Sequence, residues 1–164
     1  SNAGPFLVTS PNTAVTLGSG KQTVTWAVAN TNVAPVNTAN VKITLSTDSG
    51  LSFPTVLAAS TPNTGSAVVT LPAVLTTKAR IKVEAVDNIF FDVSNADFSI
   101  KVAGDLNGDG SVTCADVAIV RSSLGKRTGQ PGFDARADVD KNGIVDVRDL
   151  AYVTQRLPAG TSCG

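Results

Sequence analysis

Two patterns of apolar and polar positions divide the chain. From Gly4 to about Val102, short runs alternate with period two: "QTVTWAVAN" around Trp26, "NVKITLSTD" from Asn40, "GSAVVTLP" from Gly65, "ARIKVEAVD" from Ala79 and "ADFSIKV" from Ala96. These runs are rich in β-branched residues and are separated by turn formers, which predicts an antiparallel β-sandwich of about seven strands. Its expected aromatic core is Trp26, Phe53, Phe90, Phe91 and Phe98, surrounded by Val24, Ile43, Leu45, Val69, Ile81 and Val83. Beyond Ala103 the alternation stops. Two stripes at i, i+3, i+7 take over, Val117–Val120–Leu124 and Leu150–Val153–Leu157, predicting two short helices that pack together. Gly125 and Pro158 are their expected stops.

The second region repeats itself. Shifting the chain by 33 residues, the difference between Asp138 and Asp105, lays Asp105 on Asp138, Asn107 on Asp140, Asp109 on Asn142, Gly110 on Gly143 and Asp116 on Asp149. These are positions 1, 3, 5, 6 and 12 of a twelve-residue calcium loop, whose glycine at 6 permits the sharp turn. Position 7 supplies a backbone carbonyl, so Ser111 and Ile144 are free to differ there. Position 9 is Thr113 or Asp146, where a helix N-cap also belongs. Asp116 and Asp149 follow three residues on, at capping-box spacing. Val112 and Val145, at position 8, are expected to let the two loops pair back to back. Carboxylates crowded in this way repel one another unless a divalent cation sits among them, so two calcium ions are expected.

Composition removes several alternatives. Lys plus Arg and Asp plus Glu both total 13, so no net field points to nucleic acid or an anionic membrane. No apolar run reaches the roughly 20 residues needed to cross a bilayer, and no signal peptide is recognisable, so the chain reads as an excised soluble piece expected to be a monomer. There is no histidine, which eliminates the zinc-protease helix motif and any His-dependent triad or Cys-His pair. Residues 1–3, Ser-Asn-Ala, look like the remnant of a cleaved expression tag. The stretch "STDSGLSF" resembles the Asp-box turn of β-propellers, and Asp48 is expected to bond its own turn, without a catalytic role. Glu84, Asp87 and Asp92 lie along one alternating strand and read as solvated acids, not as a glycosidase pair.

With both loops on the page, "GDLNGDGSVTCADVAIVRSSL" and "ADVDKNGIVDVRDLAYVTQRL" make residues 104–158 resemble a type I dockerin, the duplicated loop-helix (F-hand) calcium module of secreted bacterial enzymes. "GFDARADVD" resembles the usual approach to the second repeat. Asp instead of Glu at position 12 fits that family better than it fits regulatory calcium sensors. The resemblance implies a dockerin domain at 103–164, with repeats 105–125 and 138–158, that binds a cohesin domain on a scaffold or cell-surface protein. It also implies where the partner is read. The first-repeat face is Cys114, Ala115, Arg121 and Ser122; the second is Val147, Arg148, Thr154 and Gln155. The faces do not match each other, which argues against symmetric two-way docking. Cys114 has Cys163 as its only partner within the chain, and a bridge would staple the module's ends for about 3 to 4 kcal/mol; otherwise these are two separate thiols. If the bridge forms, Cys114 is lost as a free docking contact.

The run from "VTWAVAN" at Val24 to "EAVDNIFFDVS" ending at Ser94, most of residues 20–100, resembles immunoglobulin-like modules that follow the catalytic domain of secreted bacterial metalloproteases, which implies an immunoglobulin-like β-sandwich over 4–102. Together the resemblances imply a non-catalytic part of a larger secreted hydrolase, extracellular or attached to a cell surface. Two functions stay open: a cohesin-docking device, or a calcium-stabilised structural module packed on its own sandwich.

Overall fold

The computed structural model describes residues 3–164; Ser1 and Asn2 of the expected tag remnant lie outside the described residues. The chain forms two compact units, one ending at Lys101 and one running from Val102 to Gly164.

The first unit holds nine strands: β1 (Leu7–Ser10), β2 (Thr16–Gly18), β3 (Gly20–Ala27), β4 (Asn40–Ser46), β5 (Thr55–Pro62), β6 (Ser66–Leu71), β7 (Thr76–Ala85), β8 (Phe91–Val93) and β9 (Phe98–Lys101). One sheet runs β1-β3-β6; the other runs β2-β9-β7-β4-β5, with β8 also paired to β7. Their inward residues meet in one core, in which Val24, Trp26, Val69 and Leu71 face Ile43, Leu45, Ile81, Val83, Phe98 and Ile100. The period-two pattern is responsible: along β7, Ala79, Ile81 and Val83 are buried while Lys78 points outward and exposed.

Three sequence expectations are corrected here. The strands number nine among the described residues, against about seven expected, because β2 and β8 are three residues each and too short to show a period. Pairing is not wholly antiparallel, since β2 runs parallel to β9. Phe91 is 60 % exposed and Phe53 only half-buried. Phe91 lies opposite Glu84, on the outer face of β7, so its ring stays outside. There the Lys82 ammonium lies 5.2 Å from the centre of the Phe53 ring and 5.7 Å from that of Phe91. The unforeseen aromatic contact is Phe6, which meets Phe90 edge-on at 4.9 Å.

Two polar devices brace this unit. Asn63 is buried; its side-chain carbonyl accepts the Trp26 indole N–H at 2.8 Å, and its amide donates to Thr31 Oγ1 at 3.0 Å and to the Thr38 carbonyl at 3.1 Å. Asn63→Ala orphans these groups together, and each unsatisfied buried group costs about 1 to 3 kcal/mol. The expected loss is roughly 3 kcal/mol or more, read as a lower urea midpoint followed at Trp26, the single tryptophan. An unchanged midpoint would discount the network.

The second device is the turn between β4 and β5. Asp48 accepts from the Ser46 hydroxyl at 2.5 Å, the Ser52 amide at 3.0 Å and the Ser52 hydroxyl at 2.5 Å. These bonds, the Ser46 hydroxyl first, lower its pKa to about 2. A depressed carboxylate stabilises the fold fully above its unfolded value of about 3.9 and loses that contribution as pH falls through its folded value. The gap in urea midpoint between wild type and Asp48→Asn is therefore expected to be constant near neutrality and to close as pH falls from about 4 towards about 2. A gap that persists at the acid end would assign the effect to packing instead of charge.

The second unit contains α1 (Cys114–Ser123) and α2 (Val147–Thr154). Its buried cluster is Val102, Val112, Val117, Val120, Ala137, Val145 and Val153, with Leu106, Phe133, Leu150, Tyr152 and Leu157 partly buried around it. Leu124 departs from its expected stripe: it caps α1 with ψ 132°, turns out of the helix, and is 41 % exposed. The expected back-to-back pairing of the loops is also corrected. Val112 and Val145 share the core, but the backbone of loop two pairs with the segment after α1, through Gly125 N to Val145 O at 2.8 Å and Val145 N to Lys126 O at 2.9 Å. Ile144 forms an isolated bridge with Arg127. A core of valines and one alanine is small, so this unit needs help from outside its apolar contacts.

Candidate metal centre

Each helix begins where its loop closes. Thr113 and Asp146 are N-caps in extended backbone, and both capping boxes form with Asp116 and Asp149 at N3. Asp116 is fully buried. Its Oδ1 accepts from the amides of Leu106 at 2.8 Å and Asn107 at 3.1 Å, and its Oδ2 from Thr113 N at 2.8 Å. Asp149, 1 % exposed, repeats this with Val139 N and Asp146 N, both at 2.8 Å. These bonds satisfy the buried carboxyl oxygens and clamp the loop entrance to the helix start.

Position 1 curls each loop. Asp105 accepts from Gly108, Asp109 and Gly110 amides, and Asp138 from Asn142 and Gly143 amides. Gly110 and Gly143 take φ of 90° and 85°, in the left-handed region that a side chain resists. Asp138, Asp140 and Asp149 each bring one carboxylate oxygen within 4.8 Å of the others. No such three-carboxylate group forms in loop one among the described residues: position 3 there is Asn107, and Asp105, Asp109 and Asp116 do not converge as closely. Asn107 and Asn142 are engaged with neighbours at 2.8 and 2.9 Å, donating to Asp109 and Asp140. Asp109 also accepts the Ser111 amide, and Asp146 accepts the Arg148 amide as helix cap. All donors are hard oxygens; the chain has no histidine, and both cysteines are in a disulfide. The set fits a hard divalent cation and no soft one.

The proposed reading faces differ in what touches them. Cys114 is bonded to Cys163. The Arg121 guanidinium donates to the Gly164 carbonyl and, at 3.1 Å, to that of Cys163. Ala115 and Ser122 remain exposed. On α2, Val147 is 70 % exposed, and Arg148, Thr154 and Gln155 are exposed. Beside Arg148 lies a cavity of 230 Å³ lined with Val139, Asp140, Asp149 and Tyr152. The second repeat thus pairs its carboxylate cluster with an open helix face.

Residues 103–158 match the dockerin type I domain. The family model covers that segment and not the residues before it. No curated protein matches the chain. Two similar solved structures are interface mutants of a type II cohesin-X-dockerin complex from Acetivibrio cellulolyticus. The C-terminal interface mutant is 15 % identical with a TM-score of 0.36, and the N-terminal one 12 % with 0.35; each comparison spans 94 % of this chain and 96 % of the other. At these scores the likeness says nothing of this chain's partner. Among the described residues, no helix is long and apolar enough to cross a membrane.

Sequence reading missed what holds the dockerin segment in place. Buried Ser123 donates to the Gly132 carbonyl at 3.0 Å and accepts the Asp134 amide at 2.8 Å, anchoring the approach to loop two. The Arg136 guanidinium holds the Asp134 carboxyl below its ordinary range. Arg156 stacks 3.5 Å from the Tyr152 ring centre. A serine inside a helical stripe was the available signal for the first. The signal for the stacked pair was an aromatic and an arginine four residues apart across the end of α2.

Proposed function

We propose that residues 103–164 form a calcium-loaded docking module that binds a cohesin domain on a scaffold or cell-surface protein. Residues 4–102 serve beside it as an immunoglobulin-like spacer in a larger secreted bacterial hydrolase, probing no substrate of their own. The observation that carries this reading is the duplicated loop-helix geometry, closed twice by a buried aspartate, inside the segment that matches the dockerin type I domain. Each loop takes one calcium through Asp105, Asn107, Asp109, Ser111 carbonyl and Asp116, or through Asp138, Asp140, Asn142, Ile144 carbonyl, Asp146 and Asp149.

The test is capture. The immobilised chain is offered a panel of type I and type II cohesin domains in calcium and then in chelator, with bound calcium counted by elemental analysis. Retention of a cohesin only in calcium supports docking. Failure to retain any, from a chain carrying two calcium ions, supports the second reading, a calcium-stabilised structural module. The Cys114–Cys163 bridge favours that second reading, since it fastens the unit to itself.

The loops should differ in affinity. Loop two offers four carboxylates (Asp138, Asp140, Asp146, Asp149) against three in loop one (Asp105, Asp109, Asp116), and ligand charge raises affinity. Calorimetry should find that Asp138→Ala abolishes the tighter binding step and Asp105→Ala the weaker. The reverse order would overturn the assignment.

A further inference from the structure

We propose that residues 158–164 are an internal strap occupying the first-repeat face, so that a partner engages this chain through α2 alone and in one orientation. The inference rests on the docking reading above and adds which face is used. Two independent attachments hold the strap. Cys163 is covalently joined to Cys114 at the first residue of α1, with Cα atoms 5.4 Å apart, and its side chain packs against the second core cluster. Two turns further along α1, Arg121 donates to the carbonyls of Cys163 and Gly164. Of the four first-repeat positions, Cys114 and Arg121 are therefore engaged by the chain's own residues 163 and 164, although all four keep exposed surface. A rigid partner that needs all four meets that tail first.

Among the described residues, the equivalent positions on α2 carry no such attachment. Val147, in the place of Cys114, is 70 % exposed, and Thr154, in the place of Arg121, bonds among the described residues to the Leu150 and Ala151 carbonyls of its own helix. The Arg148 guanidinium forms no ion pair among the described residues and stands at the 230 Å³ cavity with Val139 and Tyr152. An exposed valine, a hollow with an apolar wall and an unpaired guanidinium select a partner surface with an apolar patch and a carboxylate beside it. A cohesin face of that chemistry is the occupant we assign to α2.

The experiment has two arms on the full chain in calcium. The first follows backbone order of residues 159–164 by nitrogen-15 relaxation in wild type, in Arg121→Gln, and in the Cys114→Ser/Cys163→Ser double variant. Order parameters are expected near the rigid value of about 0.85 in wild type and below about 0.6 in the double variant, with Arg121→Gln between. Flexible values already in wild type overturn the strap, whatever the partner does. The second arm measures affinity for the retained cohesin. Val147→Asp and Arg148→Ala are expected to weaken it at least tenfold, whereas Ala115→Asp and Ser122→Asp change it less than twofold. Equal losses on both faces overturn single-face docking. No binding by a chain carrying two calcium ions removes the docking reading, while the first arm still decides the strap.

Discussion

Chelation of calcium is expected to unfold the second unit and leave the first standing. At 10 and 8 residues, α1 and α2 are shorter than the roughly 12 to 15 residues at which an isolated helix becomes even marginal in water. Their shared core is valines and one alanine, and three of the four carboxylates of loop two, those of Asp138, Asp140 and Asp149, converge within 4.8 Å, a repulsion that a bound cation would relieve. Metal binding free energy is then folding free energy for this unit. The first unit has a full two-sheet core and no share in those carboxylates. Nature has supplied separate reporters: the single tryptophan, Trp26, lies in the first unit and the single tyrosine, Tyr152, in the second. Chelator should abolish the helical circular-dichroism signal and alter tyrosine emission while the urea transition at Trp26 keeps its midpoint. Loss of both signals together, or of neither, would sink the prediction.

Removal of the Cys114–Cys163 bridge has the next largest expected effect. The bridge spans 49 residues, nearly the whole second unit, and in the chain-entropy account a loop of that size is worth about 4 kcal/mol. That is close to a thousandfold in the folding constant, since each 1.4 kcal/mol or so is tenfold. The Cys114→Ser/Cys163→Ser variant should remain folded in saturating calcium but need a markedly higher calcium concentration to hold its helices. The Trp26 transition should not move. Coincident calcium titrations of wild type and variant, followed by helical circular dichroism, would remove the bridge from the stability account.

The sequence was legible where one rule acts locally. Alternation identified β3, β4, β6, β7 and β9, and repeat spacing brought Asp138, Asp140 and Asp149 to one place. Both capping boxes followed from three-residue spacing at Thr113 and Asp146. It was illegible where long-range geometry decides. Phe91 has the composition of a core residue, yet its register opposite Glu84 puts it on the outer face. Leu124 continues a helical stripe on paper, but the helix ends one residue earlier. Val145 pairs with the segment after α1 because Lys126 and Gly125 present free backbone groups to it, a contact that no pattern announces. Arg121 donates to the carbonyls of Cys163 and Gly164, more than forty residues away, a contact that no local pattern announces.

The buried aspartates at the loop ends have a consequence for the order of folding events. Asp116 reaches back ten and nine residues to the amides of Leu106 and Asn107 while its other oxygen holds Thr113 at the head of α1. The unfavourable step in making any helix is fixing the first turn, before propagation returns anything. Here that turn is fixed by closing the loop, so ion capture and helix nucleation become one event. The second unit should then refold at a rate set by calcium concentration, with helix growth following capture.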